Sequence, residues 1–465
     1  MVNDLLDRGV ATDQIAFVSF TRKAVAEARN RACDAYSLKP ADLPYFKTIH
    51  SLCFHALKCK KEDLMGKDNY TEFGEWAGYK FRGALDMEDP LVPTSTEEGD
   101  MLLFLDNLSR TMQVTPEQLW ETGVTTDKYA LIRFCESYAK FKAHFGLLDF
   151  TDLLSKFNVP VPVKYVFIDE AQDLSKLQWA VIKVAFSQAE VVIAGDDDQS
   201  IYKWSGADLE TFLNLEGEKQ VLHQSYRLPK LIYASAQKIV TNIQHRYEKE
   251  YRPTSEEGVL DYATSIDYLE KPAMGTLILV RNTYLLPAVF MWLKRCGTAY
   301  TGHGGVQSVT PTHARAIRGY ISLREGATVS IEEAKAVYNC IRRHKYLTKK
   351  ELDLMTGFVA LEDLRLPKLE WWDVLNGITV ETAEYYKQLD LTTFSAPVKV
   401  HVDTIHGAKG GEADHVILLS DISKKSFIEL QTTPDNEHRV AYVAATRAKK
   451  RCTIVMPNSR YSYPY

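Results

Sequence analysis

A basic excess, paired cysteines and long apolar runs are all missing from this sequence. Its 465 residues carry 56 Lys and Arg against 61 Asp and Glu, a formal net charge of −5. No global cationic surface announces nucleic acid, so any anion-binding groove must be local. The seven cysteines are odd in number and include no C-x-x-C pair, which argues against a disulfide framework and a zinc site and fits a reducing cytoplasm. The 12 histidines form no H-x-x-x-H pair of the zinc-protease kind. No stretch approaches the roughly 20 apolar residues of a membrane span, and the first ten residues, MVNDLLDRGV, lack a basic-then-apolar leader pattern. No repeat recurs at a fixed period. What is present, 45% hydrophobic and 25% charged residues, is the composition of a folded chain long enough for two or more domains.

The most informative stretch runs from Val166 to Trp204. Val166, Phe167 and Ile168 form an apolar run suited to a strand covered on both faces, ending in Asp169 and Glu170. Leu174, Leu177, Val181 and Val184 then recur at helical spacing. Val191 to Ala194 give a second strand, followed by Gly195, Asp196, Asp197, Asp198 and Gln199. A strand, crossover and strand place both acidic ends on one edge of a parallel sheet, where such sheets bind ligands. Carboxylates there suit a hydrated Mg²⁺, held by Asp169, and a water activated by Glu170. The plainer alternative is a pair of acids capping the next helix.

Upstream, residues 1–14 read as a helix end and a turn, and Ile15 to Val18 as a strand ending at Phe20 and Thr21. A helix follows from Arg22, with Ala24, Val25, Ala28 and Ala32 inward. Arg22, Lys23, Arg29 and Arg31 are either a solvated face or, with Phe20 as a base-stacking platform, phosphate contacts made by Thr21 and Arg22. Thr48 and His50 are small polar groups beside an apolar helix beginning at Leu52. Residues 65–146 are helix-like, rich in acids and aromatics, and broken by the DPLVPTSTEEG loop at residues 89–99. Val221 to Pro229 read as a strand running into a polar turn, and Gly275 to Asn282 as a further strand before a helical LLPAVFMWL. The region 302–395 is mostly helical, with a capping box at Ser330 and Glu333. Val398 to Ser420 read as strand, glycine-rich loop and strand, the loop glycines Gly407, Gly410 and Gly411 allowing backbone close to a phosphate. A helix with Val440, Val443 and Ala444 inward and a closing strand from Cys452 to Met456 complete the chain.

Seven of these pieces, in order, resemble the motifs of the UvrD/Rep family of superfamily 1 helicases: Phe17 to Ala32, TIHSL, IDEAQD, AGDDDQSIYKW, HQSYR, TIHGAKGGE and VAYVAATRA. The resemblance implies an α/β protein with two RecA-like P-loop NTPase cores, parallel sheets and two mostly helical insertions. Residues 1–64 and 147–215 would form a first core, truncated at its N-terminus. Residues 65–146 would be an insertion, 216–301 and 396–465 the second core, and 302–395 a reduced insertion. It further implies ATP and Mg²⁺ as cofactors, with single-stranded DNA and single/double-strand junctions as partners. Gln199 resembles the glutamine that senses the γ-phosphate, and Arg227 and Arg447 resemble the arginines that reach it, surface ion pairing being their plainer role. Tyr226 resembles the aromatic on adenine, and Glu412 the carboxylate on ribose, with Gly410 in the same nucleotide-facing loop. Tyr202 and Trp204 resemble base-stacking aromatics, a core position being the plainer role of Trp204. Thr404, His406 and Lys409 fall in the DNA-contact loop.

The departures are as specific as the matches. The family begins with an adenine-reading glutamine and a phosphate loop, G-x-x-x-x-G-K-[ST], and residues 1–465 contain no Gly-Lys-Ser/Thr triplet. Met1 is expected in the helix after that loop, which removes the amide nest and the lysine on the phosphates. Arg22 stands where relatives carry Asn, Ser205 where an Arg is common, and Gly411 in place of an apolar residue. The resulting expectation is a 3′-to-5′ DNA helicase or translocase. A non-hydrolysing single-strand binder, or one fragment of a split enzyme completed by an accessory protein or a separate phosphate-loop polypeptide, stays open beside it.

Overall fold

Parallel strand pairing organises both halves of this computed structural model, which describes residues 1–81, 97–342, 346–389, 394 and 398–465. The chain divides into two compact units, residues 1–220 with 245–248, and residues 221–244 with 249–465.

In the first unit, β1 (Ile15–Ser19), β2 (Phe46–Thr48), β3 (Tyr165–Asp169) and β4 (Glu190–Ile193) form a sheet of order β2-β1-β3-β4. Every pair is parallel, and Ser19 stands in register with both Thr48 and Asp169. Parallel neighbours need crossovers, which the helices Arg22–Tyr36 and Lys176–Ala185 supply. The first buries Val25 and Ala32 as its spacing predicts. The second buries Leu177, Val181, Ile182 and Ala185. Here the expected stripe is corrected twice. Leu174 is buried but precedes the helix, and Val184 is 38% exposed, because Leu177, Val181 and Ala185 lie on one i, i+4 row and Val184 falls beside it. The helix expected from Leu52 starts earlier, at Ile49. Strand β4 stops before Ala194, and as an edge strand it leaves Val191 40% exposed.

The helices Lys67–Ala77, Glu98–Met112, Pro116–Glu121 and Lys128–Phe145 build a separate core around Phe73, Leu102, Phe134, Tyr138 and Phe141. Of the expected 89–99 loop, residues up to 96 lie outside the described residues, while Glu98 and Gly99 already begin a helix. A clasp joins this layer to the strands: Asp149 Oδ2 accepts from Arg110 Nη2 and Lys142 Nζ, both at 2.6 Å, and Asp149 Oδ1 caps the helix Phe150–Ser155. Burial alone would raise the Asp149 carboxyl, but Arg110 and Lys142 outweigh it and hold the group well below the usual range.

The second unit contains β5 (Val259–Ala263), β6 (Thr276–Val280), β7 (Val329–Ser330), β8 (Phe358–Val359), β9 (His401–Thr404), β10 (Ala413–Leu419) and β11 (Ala448–Val455). Five of them form a parallel sheet, β5-β11-β10-β6-β9, whose member β6 is buried at every residue. The closing strand thus begins at Ala448, four residues before the expected Cys452. No strand forms over 221–229. Gln224 makes a single bridge to Arg252 and Leu222 is 78% exposed, so the apolar residues there have no sheet to cover them. The described residues of 302–389 carry a series of helices, with β7 and β8 as a small antiparallel pair, and Ser330 and Glu333 form the expected capping box. The expected boundary near residue 395 lies outside the described residues. No helix among the described residues is long and apolar enough to cross a membrane.

Candidate nucleotide and nucleic-acid sites

The first candidate site lies where β3 and β4 end. Glu170 follows β3 with φ +54°, a left-handed turn uncommon outside glycine. The turn leads to Gln172, fully buried, which the sequence reading passes over. Its Nε2 donates to Glu170 Oε2 at 2.6 Å and its Oε1 accepts the Asp196 N–H at 2.9 Å. A Cβ at position 195 would lie 2.6 Å from that Oε1, so Gly195 is required for the strand end to approach. Gln199 Nε2 donates to Asp196 Oδ2 at 2.7 Å, which closes a hydrogen-bond chain from Glu170 to Gln199. Glu170, Asp196 and Gln199 are therefore linked through Gln172, a residue whose one sequence signal is a polar side chain inside an acidic box.

The three aspartates after β4 divide their duties. Their carboxylate oxygens lie within 4.8 Å of one another. Asp198, wholly buried, receives Arg246 Nε at 2.7 Å and Nη2 at 2.6 Å, and Asp197 accepts the Tyr247 N–H at 2.8 Å. Two of the three carboxylates are thus engaged by the four-residue segment 245–248. Arg246 sits in the charge-rich run HRYEKE, which by pattern alone resembles a solvated face. Asp169 lies on the strand itself, its carboxyl raised by burial and then by neighbouring Glu170. Ser19, in register with it, buries a hydroxyl that has no hydrogen-bond partner among the described residues. A half-buried hard-oxygen donor beside an unsatisfied hydroxyl fits a hydrated divalent cation.

Aromatic rings gather in the same unit. Phe20 stacks on Tyr202 at 5.8 Å, Tyr202 meets Trp204 at 6.3 Å, and Trp204 stacks on Phe104 at 6.4 Å. Trp204 is 38% exposed, so it is not a core residue. Phe104 comes from the helical insertion, where nothing in the local sequence marks it. The remaining positions read from sequence are more ordinary. Thr21 and Thr48 are helix N-caps, their hydroxyls accepting the Ala24 and Ser51 N–H groups at 3.2 and 3.3 Å. Arg22 is exposed. His50 lies edge-on to Phe150 at 6.0 Å, and burial pushes its imidazole down to about 4.

In the second unit, Tyr226 is 90% exposed. Arg227 Nε lies 2.7 Å from Glu412 Oε2, with Lys449 Nζ 3.4 Å from the other oxygen. Partial burial works upward on Glu412, but Arg227 and Lys449 leave its carboxyl below the ordinary value. Arg447 is turned inward and buried, donating from Nε to Val443 O at 2.9 Å and from Nη1 to Gly411 O at 3.3 Å. Thr404, buried, ends β9, and the loop to β10 carries half-buried His406 and Lys409, with Gly410 at φ +77° and open space around it.

Residues 1–220 match the family profile described as the UvrD/REP helicase N-terminal domain, and residues 399–455 that of the UvrD-like helicase C-terminal domain. The chain is 25% identical over 297 residues to ATP-dependent DNA helicase Rep of Buchnera aphidicola subsp. Baizongia pistaciae, covering 58% of this chain and 43% of that protein. It is 25% identical over 279 residues to ATP-dependent DNA helicase PcrA of Bacillus subtilis, covering 55% and 37%, and 26% identical over 270 residues to Rep of Escherichia coli, covering 52% and 38%. These matches span about two fifths of the length of each relative. With both family domains in order, the parallel α/β sheets, and the acidic strand ends that the motifs require, this chain belongs to the UvrD/REP helicase family.

Proposed function

We propose that this chain acts as an ATP-dependent DNA helicase or translocase that moves 3′-to-5′ on single-stranded DNA. One observation carries the reading: Tyr202 and Trp204, which form a ladder with Phe20 and Phe104, follow in the same loop after β4 whose Asp196 and Gln199 end the hydrogen-bond chain from Glu170. Rings stack any base, each contact contributing about 1 to 3 kcal/mol. The chain ends at Gln199, three residues before Tyr202, so a change at the carboxylate end would reach the rings along one short loop. Glu170 would orient and deprotonate the attacking water, while Gln199 reports on the phosphate through Asp196. Mg²⁺, when bound, would neutralise phosphate charge, with Asp169 holding it. Tyr226 is free to lie on adenine, and Glu412 would exchange its pairing with Arg227 for a ribose hydroxyl. Arg227 and Arg447 would then serve the phosphate, a role that contributes about 10³ to 10⁵ in rate. For Arg447 this requires its guanidinium to leave Val443 O and Gly411 O. Thr404, His406 and Lys409, with Phe20, Thr21, Arg22, Thr48 and His50, would line the DNA path, single/double-strand junctions included. A reducing cytoplasm suits the seven free cysteines.

A second reading concerns residues 1–465 as they stand, which hold no Gly-Lys-Ser/Thr triplet. In it the chain binds single strands without hydrolysis, or works as one fragment beside a separate phosphate-loop polypeptide or accessory protein. A DNA-stimulated ATPase assay on Met1–Tyr465, with Glu170→Gln as control, decides between them. Turnover above the control supports the motor; none assigns this polypeptide to the second reading.

A further inference from the structure

The loop that follows β9 is shaped by a carboxylate, an unexpected group beside a surface meant for phosphates. Asp403 Oδ1 faces His303 Nδ1 at 2.6 Å and accepts the Thr404 N–H at 2.7 Å. At neutral pH a carboxylate only accepts, so the imidazole Nδ1–H donates. A Cβ at position 407 would lie 2.4 Å from Asp403 Oδ1, 2.8 Å from Cγ and 2.9 Å from Oδ2. The carboxylate therefore fills the space that a side chain at Gly407 would need. Thr404 Oγ1 accepts the Gly407 N–H at 3.1 Å, which ties the turn back to the strand end. His303 is itself placed by β9: Thr301 donates to Val400 O and accepts from the Val402 N–H, both at 2.9 Å, and the Gly302–Gly305 turn follows directly.

A negative charge next to a phosphate-binding loop weakens binding unless something offsets it. Here the charge is turned onto Gly407, is 26% exposed, and is met by His303. We infer that Asp403, seated by His303 and admitted by Gly407, is a positioning residue for the Thr404–Gly411 loop. It fixes the conformation in which the loop amides and Lys409 meet the phosphodiester backbone of single-stranded DNA. This inference rests on the DNA-binding reading above for its ligand, and on the contacts within the second unit for its geometry.

The test uses the full chain and a fluorescein-labelled oligothymidylate, read by anisotropy at fixed salt. Removing a negative charge tightens DNA binding if charge is all that Asp403 contributes. Positioning predicts the opposite, Asp403→Ala weakening binding about fivefold, with His303→Ala non-additive with it because the two side chains form one unit. Gly407→Ala should weaken binding about tenfold through the Cβ clash, and adding Asp403→Ala should recover part of that loss. Unchanged or tighter binding in Asp403→Ala, or strict additivity with His303→Ala, overturns the inference. Hydrogen exchange of amides 404–411 without DNA provides a second readout, expected to accelerate in Asp403→Ala. If the wild type ignores the oligonucleotide, the DNA reading fails and exchange alone decides the loop's dependence on Asp403, unchanged protection overturning it.

Discussion

Two arginine–carboxylate pairs sit on motif loops of this chain, and they differ chiefly in water. Arg246 grips Asp198 with two bonds, its carboxylate fully buried, whereas Arg227 and Glu412 meet at 2.7 Å with about two fifths of each side chain exposed. The first pair belongs to a loop whose neighbours are also hydrogen-bonded, through Gln172 and Asp196. The second shares its carboxylate with Lys449 and stands near a Tyr226 that touches little. A buried pair is costly to break because the surviving charge has no solvent. An exposed pair exchanges partners at little cost. The difference suits a fixed scaffold in the first unit and an exchangeable pair in the second, as the nucleotide role proposed for Arg227 and Glu412 requires.

The comparison breaks most sharply at Arg246. Arg246→Met removes both guanidinium bonds from the buried Asp198 carboxylate, and should destabilise the first unit by about 3 to 5 kcal/mol in urea unfolding. A loss below about 1 kcal/mol, as for an exposed pair, would erase the distinction drawn between the two loops. Next in size is Trp204→Ala, expected to weaken oligothymidylate binding by about 1 to 3 kcal/mol while leaving urea stability nearly intact. Equal binding by mutant and wild type would remove the ladder from the DNA path. Gln172→Ala strips partners from Glu170 and Asp196 and should cost about 1 to 3 kcal/mol of stability, read from the urea midpoint.

His50 sharpens the contrast through pH. Its folded value, pushed down to about 4 by burial, lies below the ordinary 6.5. The unfolded chain thus binds the proton first, and stability should be complete above pH 6.5 and decline as pH falls toward about 4. His50→Asn should flatten that part of the urea-stability profile, and an unchanged slope would reassign it to other groups. The smallest effect belongs to Arg227→Ala, with an unfolding change of about 1 kcal/mol or less.

The strands at 166–168, 276–280 and 416–419 are legible because each is built on an apolar run bounded by polar residues, a local signal. The Ser330 and Glu333 capping box was legible for the same reason, its partners being three residues apart. The strand expected over 221–229 was not formed, since an apolar and polar mixture becomes a strand only when a sheet covers it. Val184 lies outside the buried stripe because the stripe's width depends on what the helix lies against. No local pattern marks the contacts of Gln172, Phe104 and Arg246, each acting on residues brought near by folding.

By itself, the sequence determined the chemistry: which carboxylates end the strands and which aromatics follow them, the pair of parallel α/β sheets being what its family resemblance implies. Those properties follow from residue type and spacing, which the chain holds whether or not it is folded. Only the tertiary structure decided which charges are paired and which rings touch. Arg246 reaches Asp198 across 48 residues, His303 reaches Asp403 across 100, and Phe104 joins a ladder begun at Phe20. Contacts at that separation are set by packing and burial, which no local pattern encodes.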